Sequence, residues 1–216
     1  MTFQISPSLA AAPMDRLGQT VVDLEKAGAD SIHFDIEDGS FVPVMNLGVK
    51  LIPDLRRWTR LLFDVHLMMV NPEWLLPEII ASGANRISVH YEACPYPRRV
   101  LRQIVTLGAQ AGIALNPATP LPDFSYLLPY LSFVVILTTE PELPDCPFLP
   151  EVLEKVRVGK QVKGLEGIEW VVDGAVTPQN LPEILAAGAS TVVVGRAIFH
   201  DGKIKENMAA LRAASG

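Results

Sequence analysis

The chain is poor in several things that would point to particular classes of protein. It has two cysteines in 216 residues, Cys94 and Cys146, far apart and in no paired motif. A disulfide framework or a cysteine-based zinc site is therefore not expected, and a reduced, cytoplasmic setting is. Lys and Arg total 18 against 24 Asp and Glu, for a formal net charge of −6. With no basic cluster, nucleic acid is not an expected partner. No apolar run reaches the ~18 residues of a membrane span, so no membrane association is expected. Met1 to Ser8 lacks the basic start and apolar core of a signal peptide. The 18 prolines are scattered and mark no linker.

What is present is a repeating pattern in a chain that is 49% hydrophobic, enough for one compact domain with a large core. Phe3 to Pro7 reads as a first strand, and Met14 to Lys26 has helical spacing. Strands follow at Ile32 to Ile36, Leu61 to Leu67, Arg86 to Tyr91, Ile113 to Leu115, Phe133 to Leu137, Ile168 to Val172 and Thr191 to Val194. Helices are expected at Val49 to Trp58, Pro72 to Ser82, Arg98 to Leu107, Leu149 to Val162, Pro178 to Ala187 and Ile204 to Ala214, with a short one near Asp123 to Tyr130. One cassette recurs as Lys26-Ala-Gly-Ala-Asp30, Ala81-Ser-Gly-Ala-Asn85 and Ala186-Ala-Gly-Ala-Ser190. Each is a helix end, a glycine suited to a left-handed cap, and a strand start. The strands are continuous apolar runs, as in a parallel sheet covered on both faces. Eight such units predict a single-domain (β/α)₈ TIM barrel spanning residues 1–216. A doubly wound sheet is the alternative, but no Gly-x-Gly-x-x-Gly opens the first βα turn.

Barrels of this kind carry their active sites at the C-terminal ends of the strands. His33 and Asp35 stand two apart on strand two, so they point the same way before Asp38-Gly39 turns the chain. His66 ends strand three and Asp173 ends strand seven. Two imidazoles and two carboxylates converge on one mouth. Nitrogen and hard oxygen donors suit one divalent metal ion of the Zn²⁺, Fe²⁺, Mn²⁺ or Co²⁺ type. A lone strand-end aspartate is usually a cap and a lone histidine usually packs; the joint placement is what argues for metal. His90 and Glu92 end strand four, where a packed, hydrogen-bonded histidine is expected. Tyr91, Tyr96 and Trp74 are expected to pack, and His200 to be exposed.

The stretches Ile5-Ser6-Pro7-Ser8, Ile32 to Pro43, Asp64-Val65-His66-Leu67-Met68, Asn116-Pro117-Ala118-Thr119-Pro120 and Val172-Asp173-Gly174 resemble, in order and spacing, the ribulose-phosphate 3-epimerase family. The resemblance runs from about Ile5 to Phe199. It implies a (β/α)₈ barrel and a metal held by His33, Asp35, His66 and Asp173. It also implies Asp35 and Asp173 as the acid and base, and Ser8, His66 and Met68 at the substrate, although Met68 could equally be a core methionine. A sugar phosphate substrate, by default D-ribulose 5-phosphate, and a homo-oligomer are implied with it. The expected reaction inverts C3 of a ketose phosphate through an enediolate. Two alternatives stand beside it: the same chemistry on a different, unphosphorylated ketose or sugar acid, and a non-catalytic relative that binds a ligand.

Two departures bear on substrate. Family members usually carry methionine before Asp-Gly in the strand-two motif, where this chain has Glu37. They also carry a glycine-rich Asn-Pro-Gly-Phe-Gly-Gly-Gln loop after strand six that serves phosphate. Here the span reads Glu140-Pro141-Glu142-Leu143-Pro144-Asp145-Cys146. Proline lacks the N–H and acids repel phosphate. The turns after strands seven and eight read Asp173-Gly174-Ala175 and Gly195-Arg196-Ala197, so Gly174, Ala175, Gly195 and Arg196 are the expected anion-binding residues. An unpaired Arg196 is expected to grip the anion; an Arg196 tied to Glu140, Glu142 or Asp145 would close that end.

Overall fold

The computed structural model describes residues 3–141 and 146–214. Eight strands form one parallel sheet: β1 (Gln4–Pro7), β2 (Ser31–Glu37), β3 (Leu62–Met68), β4 (Arg86–His90), β5 (Gln110–Leu115), β6 (Phe133–Leu137), β7 (Glu169–Asp173) and β8 (Thr191–Val194). Their order is β1-β8-β7-β6-β5-β4-β3-β2, which brings β1 back beside β2. There the Asp30 N–H donates to the Ile5 carbonyl at 3.0 Å, and Ser8 pairs with His33 in a parallel bridge. The sheet is a nearly closed (β/α)₈ barrel.

The helices among the described residues are α1 (Leu17–Lys26), α2 (Leu51–Arg56), α3 (Leu76–Ala81), α4 (Pro97–Thr106), α5 (Glu154–Gly159), α6 (Leu181–Ala187), α7 (Arg196–Phe199) and α8 (Ile204–Ala213). The recurring cassette closes α1, α3 and α6 as its glycines predict. Gly28, Gly83 and Gly188 have φ of +85°, +111° and +108°. In each case the next N–H reaches back to a carbonyl five residues earlier: Ala29 to Leu24, Ala84 to Ile79, Ala189 to Ile184. This is a Schellman closure, which satisfies carbonyls the helix leaves open.

One expected helix is absent. Residues 125–130 form successive turns between β5 and β6. Leu128 and Leu131 do donate to the carbonyls four residues back, those of Phe124 and Leu127. Pro129 sits between them without an N–H, and Pro122 precedes them, so the ladder never propagates. Trp74 and Tyr96, expected to pack, are 71% and 62% exposed.

Alternation along the strands sorts side chains into two layers. Ile32, Phe34, Phe63, Val65, Val134, Trp170 and Val192 belong to the apolar layer between sheet and helices. The barrel interior is divided. One part is apolar, built from Ala114, Phe133, Val135, Leu137, Val171 and Val193. The other is polar and buried, with Ser6, Ser8, His33, Asp35, Asp64, His66, Arg86, Ser88 and His90 on β1 to β4 or directly after them. Gly112 permits this filling: a Cβ there would lie 2.3 Å from the Phe133 ring. The Arg86 guanidinium lies over that ring, 4.2 Å from its centroid, and forks onto Glu169 at 3.0 and 3.1 Å.

Candidate metal centre and substrate cavity

Strand register assembles the site. β2 and β3 pair so that His33 lies opposite Asp64 and Asp35 opposite His66. Asp173 is the last residue of β7, opposite Leu137. His33, Asp35, His66 and Asp173 each offer one donor atom, and those atoms lie within 4.8 Å of one another. The His33 Nε2 is 3.1 Å from Asp35 Oδ1 and 3.8 Å from Asp173 Oδ2. The His66 Nδ1 is 3.4 and 3.7 Å from the same two oxygens.

The outer partners decide which imidazole nitrogen faces the cluster. Asp64 Oδ2 lies 3.1 Å from His33 Nδ1 and accepts its N–H, so Nε2 points inward. A longer chain serves His66. The Glu92 carboxylate accepts from His90 Nδ1 at 3.2 Å and from the Asn116 N–H at 2.8 Å. With its proton on Nδ1, a neutral His90 presents a bare Nε2, 2.9 Å from His66 Nε2. His66 must therefore donate from Nε2, leaving Nδ1 directed at the carboxylates.

The electrostatics agree with that assignment. Burial holds His90 down to about 4, helped by His66 and only partly opposed by Glu92, so it is neutral. Burial pushes Glu92 up, but hydrogen bonds from His90, Thr119 and Asn116 outweigh it and hold its pKa at about 2. Burial lowers His33, yet the Asp35 and Asp64 carboxylates overcome this and raise it well above the ordinary imidazole range. His66 is likewise raised, burial being outweighed by Asp173 and Asp35. Burial acts to raise Asp35, and His33 and His66 carry it far below the ordinary carboxylate range.

A divalent cation fits this arrangement. The buried His66 Nδ1 has no hydrogen-bond partner, although two carboxylates and a second imidazole surround it. Two nitrogens and two hard oxygens are a donor set for first-row divalent ions. Each histidine of the cluster has its other nitrogen engaged by an outer partner, as metal-binding histidines do. Asp64 as that outer partner was not singled out by sequence reasoning. Its place in the Asp-Val-His motif was the available signal, since residues two apart share a strand face.

A cavity of about 710 Å³ lies over the cluster. Ser8, Asp35, Met68, Asp173, Gly174, Ala175, Gly195 and Arg196 all line it. His33 and His66 lie beneath, fully buried. The Ser8 hydroxyl donates to Asp35 Oδ2 at 2.6 Å, so one Asp35 oxygen faces the imidazoles and the other faces Ser8. Asn46, Glu140 and His200 also line the cavity. Glu37 explains Asn46. It is buried and accepts both the Asn46 backbone N–H and its side-chain amide, pinning the irregular loop after β2. No periodicity marks Asn46, so only the fold reveals it. His200 is exposed as expected and still borders the cavity, one helical turn from Arg196.

The rim turn after β7 is strained. Gly174 has φ of +119°, and a Cβ there would lie 2.9 Å from the Thr139 nitrogen. Ala175 follows at φ +51°, where a side chain costs about 1–2 kcal/mol. The Thr138 hydroxyl donates to the Gly174 carbonyl at 2.8 Å and the Asn180 amide to the Ala175 carbonyl at 3.0 Å, which holds the turn. Arg196 is already engaged in an interaction, so the expected unpaired guanidinium does not hold. Glu142 and Asp145, two of the acids weighed as its partners, lie outside the described residues.

The barrel carries a His₂Asp₂ cluster, buried except for Asp173, under a cavity at the strand ends, where barrels of this kind keep an active site. The chain matches the family model described as "Ribulose-phosphate 3 epimerase family" over residues 4–199 and belongs to that family. It is 39% identical to the ribulose-phosphate 3-epimerase of Synechocystis sp., over 96% of this chain and 92% of that one. It is 34% identical to the Bacillus subtilis ribulose-phosphate 3-epimerase, over 97% and 98%. Among solved structures, 3-keto-L-gulonate-6-phosphate decarboxylase from Vibrio cholerae superposes with a TM-score of 0.74 at 16% identity, covering 100% of this chain and 98% of that one, a likeness of fold.

Proposed function

We propose that the protein inverts the configuration at C3 of a ketose phosphate, by default interconverting D-ribulose 5-phosphate and D-xylulose 5-phosphate, through an enediolate. The observation that carries this reading is the pair Asp35 and Asp173. Both line the cavity, and both also face the imidazoles of the cluster beneath it. They come from β2 and β7, which β1 and β8 separate, so they reach the cavity from different directions.

His33, Asp35, His66 and Asp173 would hold one divalent cation. When bound, it supplies positive charge that offsets the charge developing on the enediolate oxygens. Asp35, ionised because the imidazoles hold its pKa down, serves one face of the substrate carbon and removes the C3 proton. Asp173 serves the other face and returns a proton there, so the configuration inverts. Ser8 holds the second oxygen of Asp35 and orients it. The two carboxylates exchange roles when the reaction reverses. At the far end, Arg196 and His200, with the N–H groups of the turns at Gly174 and Gly195, face the distal substituent of the sugar.

A second reading keeps the chemistry and changes the substrate. Glu140 lies on the cavity wall, where a carboxylate opposes a phosphate and suits hydroxyl groups. One experiment tests both. The purified protein is loaded with Zn²⁺, Mn²⁺, Fe²⁺ or Co²⁺ and incubated in D₂O with phosphorylated and unphosphorylated ketoses, and C3 deuteration is followed by NMR. Deuteration and inversion of pentulose phosphates alone supports the first reading. Turnover of unphosphorylated ketoses at equal rates replaces it with the second. No exchange in any of them sinks both.

A further inference from the structure

A second cavity, of about 510 Å³, opens on the flank of the barrel and shares no lining residue with the first. Its walls come from α4 and the turns between β5 and β6. Arg98, Arg99 and Arg102 line it with Tyr96, Tyr126 and Tyr130, and no acidic residue does. That concentration of cations is unusual in a chain of net charge −6.

The pocket is preformed, and its charge is only partly matched. Arg99 pairs with Glu73 and lies over the Tyr96 ring, 4.7 Å from its centroid. Arg98 donates to the Tyr126 carbonyl and lies 5.2 Å from the Tyr130 centroid. A carbonyl holds the guanidinium in place without cancelling its charge. Among the described residues neither Arg98 nor Arg102 has a carboxylate partner, and Arg102 makes no side-chain hydrogen bond. The two stand one helical turn apart on α4, so their heads are neighbours on one face. Two guanidinium forks at that spacing match the charge and the oxygens of a phosphate dianion. Tyr96, which the Arg99 guanidinium covers on one side, and Tyr126 remain 62% and 40% exposed and line the same pocket as those cations.

We propose that this pocket binds a phosphate monoester carrying a planar ring, a nucleoside monophosphate in chemical class. The phosphate lies on Arg98 and Arg102, and the ring lies against Tyr96 and Tyr126. The volume is within the range of small-ligand sites. The site is separate from the epimerase cavity, so the proposal stands whether or not the ketose reading does.

Calorimetry on the full chain with AMP, adenosine and inorganic phosphate tests it. One AMP is expected to bind per chain, with phosphate alone and adenosine alone each at least tenfold weaker. Arg102→Ala should weaken AMP at least tenfold, with epimerase rate and molecular mass unchanged. Tyr96→Ala should remove the advantage of AMP over phosphate and leave phosphate binding in place. The proposal is overturned if AMP gives no heat, if Arg102→Ala binds it equally, or if a ketose phosphate displaces it competitively. A change in molecular mass in Arg102→Ala would mark the face as a subunit contact and overturn it as well.

Discussion

The two ends of the main cavity are built differently. Its floor stands on strands: His33, Asp35, His66 and Asp173 are placed by the β2–β3 pairing and by the end of β7. Its far rim stands on turns: Gly174 and Ala175 with positive φ, Gly195 at the start of the four-residue α7, and Glu140 beyond β6. A strand position inside a closed barrel cannot slip without turning every neighbour to the wrong face. A turn can change its residues while keeping its path. On the proposed function, chemistry resides in the part that cannot move and substrate recognition in the part that can.

The largest expected effect strikes the floor. Asp173→Asn should reduce epimerisation by roughly 10³-fold, within the range for loss of a positioned acid or base. Exchange of the substrate proton served by Asp35 should survive, which deuterium incorporation without inversion would reveal. Full turnover in this variant would end the two-carboxylate scheme.

Next come the outer partners of the floor. Asp64→Asn should lower affinity for Zn²⁺ or Mn²⁺ by ~10–100-fold, as loss of such support does elsewhere. Titration against a competing chelator measures it, and unchanged affinity would mean that Asp64 only fills space. His66→Ala should abolish most metal uptake, read by elemental analysis.

Acidity probes the same end. His33 and His66 hold protons above the ordinary imidazole range in the metal-free protein, and a cation must displace them. Metal affinity should therefore rise with pH, by about tenfold per unit for each proton released. Proton release is read from calorimetry in two buffers. The stability of the metal-free fold should run the opposite way. With the folded pKa raised, the contribution is complete below about pH 6.5 and is lost as pH climbs through the folded value. Thermal melts of the metal-free protein that stayed level from pH 6 to 9 would contradict this.

At the rim, Arg196→Ala should weaken a phosphorylated ketose by ~1.5 kcal/mol, about tenfold in KM, the low end for a hydrogen bond to a charged group. The low end is chosen because Arg196 is already engaged. Metal content should not change; if it falls, floor and rim are not independent. The smallest effect is on stability. Ala175→Gly relieves a side chain at φ +51° and should stabilise the fold by roughly 0.5–1 kcal/mol, since the greater chain freedom of glycine offsets part of the gain. Denaturant unfolding reads it directly.

Much of the floor was legible in the sequence because its rules are local. Residues two apart share a strand face, so His33 with Asp35 could be paired on paper, and the glycine cassettes announced helix ends that form as Schellman closures. Eight apolar runs separated by such ends leave few architectures other than a barrel. The failures were of two kinds, one local and one tertiary. Pro129 stopped a helix that apolar spacing suggested, because one missing N–H outweighs a weak pattern. Trp74 and Tyr96 were assigned to packing by residue type, yet both are exposed, Tyr96 directly before α4 and beside three arginines. Residue types at strand ends, with their period of two, determined the chemistry this chain can do. The fold alone decided that Glu92 acts on His66 through His90, that Glu37 delivers Asn46 to the cavity, and which cations stand without a carboxylate. His66 and His90 meet because β3 and β4 pair, and Glu37 and Asn46 meet because the irregular loop after β2 folds back; neither the strand pairing nor the loop path can be read from local spacing.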